Sequence, residues 1–304
     1  MAKVYYVFEL VGRDAYLIPG VLIVCVSVIV NLATIILTLL SPRLRKTPKH
    51  LIIINISVVA LLHAAFPEAL LIELYARYQW IHGCDVFFAL EVVAYVLGAI
   101  YVLLMASLCV EWIISVAGIT CSPSVKYIIT AVMVGCCWVV NCVVLIPVAT
   151  EGRLLEYCAF ILDEDSQIAM NVMSYFPQAF STGMLVVALV VISCLKRRYR
   201  RSDHCNTVRS FPVDVVIASF ITVVLKFPLI AHLLVKCQDD CNRDAYYRAH
   251  AATLALNLVP HALVPFIWLL CRETREAILA IFRKSHDTYA PEENQYPMDG
   301  MQKK

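Results

Sequence analysis

Charged side chains are scarce in this sequence. Asp, Glu, Lys and Arg make up 16% of its 304 residues, against about 25% in an average soluble domain. Hydrophobic residues reach 61%. That shortage excludes an ordinary soluble domain, whose surface must stay largely polar, and points to a bilayer as the solvent. The net charge of +2 is too small to suggest nucleic acid as a partner. Glycine is sparse too, at nine residues. There is no Gly-rich phosphate loop, no His/Cys cluster at metal-ligand spacing and no Ser-His-Asp set placed to meet. Neither an enzyme nor a bound cofactor or metal is expected. Internal repeats are also missing, and no loop is long enough for a second domain. Met1–Asp14 carries Glu9, Arg13 and Asp14 where a signal peptide would have a basic start and a small-residue cleavage site. The first span is therefore expected to act as a retained membrane signal.

What the sequence does have is long apolar runs. Leu17 to Leu40 is uncharged throughout, enough to cross a hydrocarbon core that needs about 20 residues of helix. Six more runs follow: about His50–Tyr75, Phe87–Val116, Val125–Thr150, Ala169 to the basic run Lys196–Arg201, Val213–Val235 and Ala249–Leu270. Backbone groups have no partner in lipid, so these spans must be helices. The third is long enough to be tilted. The fold class expected is an all-α membrane protein, a bundle of seven transmembrane helices over 16–270 after a short N-terminus, 1–15. Arg272–Lys284, RETREAILAIFRK, places Ile278, Leu279, Ile281 and Phe282 on one face. That pattern predicts an amphipathic helix over 271–284, lying on the membrane surface. The remainder, 285–304, is polar, contains Pro291 and Pro297, and is expected to be an unstructured tail.

Orientation follows from Lys and Arg in short loops. Arg43, Arg45, Lys46 and Lys49 follow span one, and Lys196, Arg197, Arg198, Arg200, Arg201 and Arg209 follow span five. The loop Glu151–Gln167 has one Arg and five acids. The N-terminus is expected outside the cell and the C-terminus in the cytosol, at the plasma membrane. Of thirteen cysteines, only Cys84, Cys158, Cys237 and Cys241 then fall in extracellular segments, where disulfides persist. Three connectivities are possible. Pairs 84–158 and 237–241 are preferred, with four free thiols as the alternative.

More specific residues then appear in order: Asn31 within span one, the basic turn LRKTPKHLIIINI, Trp80 before span three, and Trp138 and Pro147 in span four. Pro177, Pro228 and Pro265 punctuate spans five, six and seven. Together, from about Tyr16 to Lys284, these resemble the rhodopsin-like (class A) G-protein-coupled receptors. The resemblance implies a receptor that binds an extracellular ligand and signals to cytosolic partners, a heterotrimeric G protein among them. Four of the family's switch positions differ here. The mid-span-two Asp that helps hold sodium is Ala60, counting from Trp80. The Asp/Glu-Arg-Tyr triplet is Glu111-Trp112-Ile113, or Leu108-Cys109-Val110 if counted from Cys84. Cys-Trp-x-Pro is Leu225-Lys226-Phe227-Pro228, and Asn-Pro-x-x-Tyr is Val264-Pro265-Phe266-Ile267-Trp268. A non-coupling decoy or modulatory receptor of the same fold is therefore kept as an alternative, and a small transporter as a further one. No Lys stands in span seven to hold retinal.

An ionisable side chain at mid-bilayer costs at least about 2.5–3.5 kcal/mol unless it is paired or wet. Lys226 is the clearest case, and with Phe227 it lies where the family's ligand would bind. Glu91 and Glu68 are its candidate partners, and His63, Asn257 and His261 are further pocket candidates. Lys226 reads either as a cation for an anionic ligand group or as half of a structural pair. The histidines and Asn257 read as an internal network or as separate bonds to neighbouring carbonyls. Asn31 and Asn55 read as interhelical hydrogen-bonding residues. Glu111, Trp112, Arg198, Arg209 and Trp268 are the candidates for cytosolic switching and coupling. The basic run near Arg198 would also meet anionic membrane lipids. Cys271 is a candidate for lipidation. Asp163, Glu164, Asp165, Asp239, Asp240 and Asp244 form either an acidic rim that steers cations or a solvated face.

Overall fold

The computed structural model describes residues 13–77, 81–117, 122–150, 153–154, 160–161, 164–200, 213–234 and 243–289. Seven of its helices are long and apolar enough to cross a membrane, and the molecule is a seven-helix bundle. Span one is Arg13–Leu40, span three Cys84–Val116, span four Pro123–Thr150, span five Glu164–Arg200, span six Val213–Leu234 and span seven Arg243–Leu270. Span two begins as Pro48–His63, widens through one π turn at Ala64–Glu68, and finishes as Ala69–Arg77. Most ends lie a few residues beyond the hydropathic runs, because a helix continues into polar sequence until its backbone finds other partners.

Span three is the hub. It packs against spans two, four, five and six, while the rest close around it in the order one-two, four-five, five-six, six-seven and seven-one. Ile100, Leu104, Met105 and Leu108 of span three are wholly buried. On the rim the opposite holds. Ile128, Val132, Val139 and Val143 of span four lie 58–62% exposed. An apolar stripe of that length is disfavoured in water and at home in lipid.

Polar side chains within the spans bond to their own helix's backbone or to a neighbouring span. Thr34 and Thr38 donate to the carbonyls of Val30 and Thr34, one turn back. Trp138 Nε1 of span four donates to Asn55 Oδ1 of span two over 3.3 Å. Between spans four and five, Arg153–Leu154 and Phe160–Ile161 pair antiparallel, Arg153 opposite Ile161. This two-stranded ribbon is an addition to the helical fold expected. After Cys271 the amphipathic helix runs Arg272–Tyr289, past Lys284 and into the stretch expected to be tail. Thr274 and Ala277 are buried against the bundle, and the helix packs on span one and on the short turn Pro42–Arg45.

Candidate functional site

A cavity of about 270 Å³ opens in the half of the bundle away from the amphipathic helix. Span three supplies Glu91, Tyr95, Gly98 and Val102, a single helical face by their spacing. Span two supplies His63, Pro67 and Glu68; span five Ser174, Pro177 and Gln178; span six Lys226; and span seven Asn257.

The π turn puts both span-two polar groups there. Pro67 has no N–H to offer the carbonyl of His63 four residues back, and its ring crowds that carbonyl. One widened turn accommodates it. Residues five apart point about 140° away from each other on a regular α-helix. Across the wider turn His63 Nδ1 and Glu68 Oε1 lie 3.3 Å apart, in ion-pair range but without the alignment of a hydrogen bond.

A second proline explains the floor. Pro265 leaves the carbonyl of His261 without its helical donor, and span one fills the gap. Asn31 Nδ2 donates to that oxygen over 2.9 Å and Ser27 Oγ over 3.2 Å. Above it the imidazole of His261 makes edge contacts with His63, 4.8 Å between centroids, and with Tyr101, 4.5 Å. The hydroxyl of Tyr101 donates to the carbonyl of Pro260.

Lys226 stands over this floor, 3% exposed. Its Nζ donates to Asn257 Oδ1 over 3.0 Å and sits 5.1 Å from the centre of the Tyr101 ring, a cation–π distance. No carboxylate among the described residues is in ion-pair range of it. Glu91, expected as a partner, lines the same cavity but has neither a hydrogen bond nor an ion pair among the described residues. Gln178 Nε2 donates to the carbonyl of Val223, while its Oε1 is buried without a hydrogen-bond partner.

The structure thus brings together Lys226, Glu91, His63, Asn257 and, beneath them, His261. Phe227 is a correction: it is 59% exposed on the outer face. Adjacent helical residues point about 100° apart, so turning Lys226 inward turns Phe227 out. Tyr101 and Gln178 were not foreseen. Helical spacing from Glu91 finds Tyr95, Gly98 and Val102 but not Tyr101, and Gln178 is marked only by its neighbour Pro177.

At the amphipathic-helix end a second group of charges closes the bundle. Lys49 Nζ, at the start of span two, lies 2.6 Å from Asp214 Oδ2 at the start of span six and 3.5 Å from Glu273 Oε2 of the amphipathic helix. A helix N-terminus disfavours a cation and favours an anion, so both carboxylates are well placed and the lysine depends on them. Glu276 bonds Arg272 over 2.7 Å and Arg43 over 3.4 Å. The Arg272 hydrogen bond holds the Glu276 carboxyl below its ordinary range.

The switch candidates divide. Of the two candidate positions at the end of span three, Cys109 meets span six, its Sγ 3.3 Å from Ser219 Oγ. Trp112 is half-buried. Glu111 edges a small cleft with Lys126 and Thr130. Trp268, a candidate for switching, is 1% exposed, in the same core cluster as Leu108 and Cys109. Cys271 is half-buried, its thiol 3.2 Å from the Thr274 hydroxyl. Cys84 is disulfide-bonded. Cys158, Cys237, Cys241 and Arg209 lie outside the described residues, as do the side chain of Arg198 and those of the acidic rim. No family model and no curated protein sequence matches the chain.

Proposed function

We propose that this chain is a receptor of the rhodopsin-like kind, at the plasma membrane with its N-terminus outside, that takes a small extracellular ligand into the cavity around Lys226. The observation that carries this reading is span six itself. One end presents Lys226 to the cavity, and the other, twelve residues and about 18 Å away by helical rise, is pinned by Asp214 to Lys49. A ligand that binds better when span six has moved would shift the balance between a pinned and a released form. The basic loops after spans one and five support the orientation. In this reading Cys84 is bonded to Cys158 and Cys237 to Cys241, which ties the outer loops across the cavity mouth.

A second reading, a receptor fold that does not couple to a G protein, is favoured by one contact. Under either register, no arginine stands at the end of span three: Cys109 faces Ser219 and Trp112 is the alternative position. A G-protein dissociation assay in cells separates the two. Receptor coupling predicts that releasing span six, by Lys49→Ala, raises nucleotide exchange above that of cells lacking the chain. If native chain, Lys49→Ala and Trp112→Arg are all silent while reaching the surface in equal amounts, the coupling reading is wrong and the second stands.

A further inference from the structure

The cavity is lined by the Lys226 ammonium and two carboxyl groups, Glu91 and Glu68, neither of which forms an ion pair with the lysine. The Glu91 carboxylate has no hydrogen-bond or ion-pair partner among the described residues. The Lys226 ammonium, which carries three donors, has one neutral acceptor, Asn257 Oδ1, and the face of Tyr101. Glu68 lines the same cavity. It nevertheless stays beyond ion-pair distance and faces His63 at 3.3 Å. Charges held among apolar helices without a counter-charge cost several kcal/mol each, and such positions mark ligand or ion pathways. Span five adds Gln178 to the same lining, its Oε1 buried without a hydrogen-bond partner. Near Lys226 the walls offer another donor, the amide nitrogen of Asn257, whose oxygen the lysine occupies.

We infer that the ligand is a small zwitterion, its ammonium received by Glu91 and Gln178 and its carboxylate by Lys226 and Asn257. This inference rests on the ligand-binding reading above and specifies the chemistry of that site. The volume of about 270 Å³ is just below the range of about 300–1,000 Å³ typical of drug-sized ligands, which suits an amino acid or a short amino-carboxylic acid. A plain amine would leave Lys226 unanswered, and a plain carboxylate would leave Glu91 so. Gly98 provides an independent handle, since a Cβ built there meets nothing within 4 Å and would project into open cavity.

The test uses the full chain purified in nanodiscs. Ligand-dependent thermal shifts are measured with the twenty L-α-amino acids and with linear ω-amino acids of three to eight carbons. Each is compared with its methyl ester, which keeps only the ammonium, and its N-acetyl form, which keeps only the carboxylate. The expected result is binding by at least one zwitterion, with both single-charge forms weaker by about tenfold or more, the loss of one charged hydrogen bond. Glu91→Gln then abolishes the preference over the N-acetyl form, and Lys226→Met abolishes the preference over the ester. Gly98→Val abolishes binding with both charges in place. No shift by any zwitterion overturns the inference, and so does an ester that binds as well as its parent acid, which would make the ligand a simple cation. The receptor reading fails separately. Zwitterion binding with no G-protein dissociation keeps the ligand and rejects coupling. Signalling that Gly98→Val removes, with no zwitterion bound, keeps the receptor and rejects the zwitterion.

Discussion

The two ends of the bundle handle charge in opposite ways. At the amphipathic-helix end ion pairs link one element to another: Lys49 with Asp214 and Glu273, and Glu276, held by Arg272 of its own helix, with Arg43. At the cavity end Lys226 and Glu91 share one chamber and stay apart. The difference lies in what the charges are for. Paired charges join elements and need nothing more. Charges kept apart in a chamber stay available, and the protein gives up stability to keep them so.

Breaking the paired end should therefore cost more than altering the open one. Lys49→Ala leaves Asp214, 14% exposed at its side chain, without its partner. A cost of about 2–3 kcal/mol is expected, between the values for buried and for surface pairs, read as a lowered melting temperature in nanodiscs. Adding Asp214→Asn should recover much of the loss; a double variant as unstable as the sum of the singles would remove the pair from the account. Next in size is Asn31→Ala, which leaves the His261 carbonyl with Ser27 alone. It should cost about 1–2 kcal/mol, the range of a buried interhelical hydrogen bond, and a melting temperature equal to the parent's would contradict the assignment.

Lys226→Met sharpens the contrast by its sign. A buried ammonium without an ion pair is replaced by an apolar chain of similar length, so the melting temperature should hold or rise. A marked fall would make Lys226 a structural residue after all. The smallest effect belongs to Glu276. Its carboxyl is held below its ordinary range beside Arg272. A depressed carboxylate contributes stability above its unfolded pKa and loses it as pH falls through the folded one. Proteolytic cleavage after Arg283 or Lys284 should therefore quicken only below about pH 4, and Glu276→Gln should be quick at every pH.

How far the sequence reached can be traced residue by residue. The spans were legible because crossing a bilayer demands length and apolarity, and Leu17–Leu40 has both without a single charge. Lys226 stood out because charge inside such a run is costly. What hydropathy does not contain is which way a helix faces. Span three is apolar all round, so nothing in its pattern says that Cys109 meets span six or that Tyr101 turns to span seven. Phe227 was misplaced for the same reason. Trp268 was picked out by its place after Pro265, and that spacing does not say that it lies in the buried core cluster with Leu108. Lys49 was counted for topology, and its contact with Asp214 joins positions 165 residues apart, which no local pattern records.

The π turn at Ala64–Glu68 adds one residue to a circuit of span two. Everything beyond it is advanced in phase by about 100°, one residue's share of a turn. Deleting Pro67, the residue that forces the wide turn, would restore an ordinary helix and carry Glu68 and Leu71, which also lines the cavity, off its wall, while His50 through Ala60 kept their packing on span three. The site's chemistry on this wall can thus be exchanged by an indel, with no substitution and no rebuilding of the bundle, as a dial is moved by one notch.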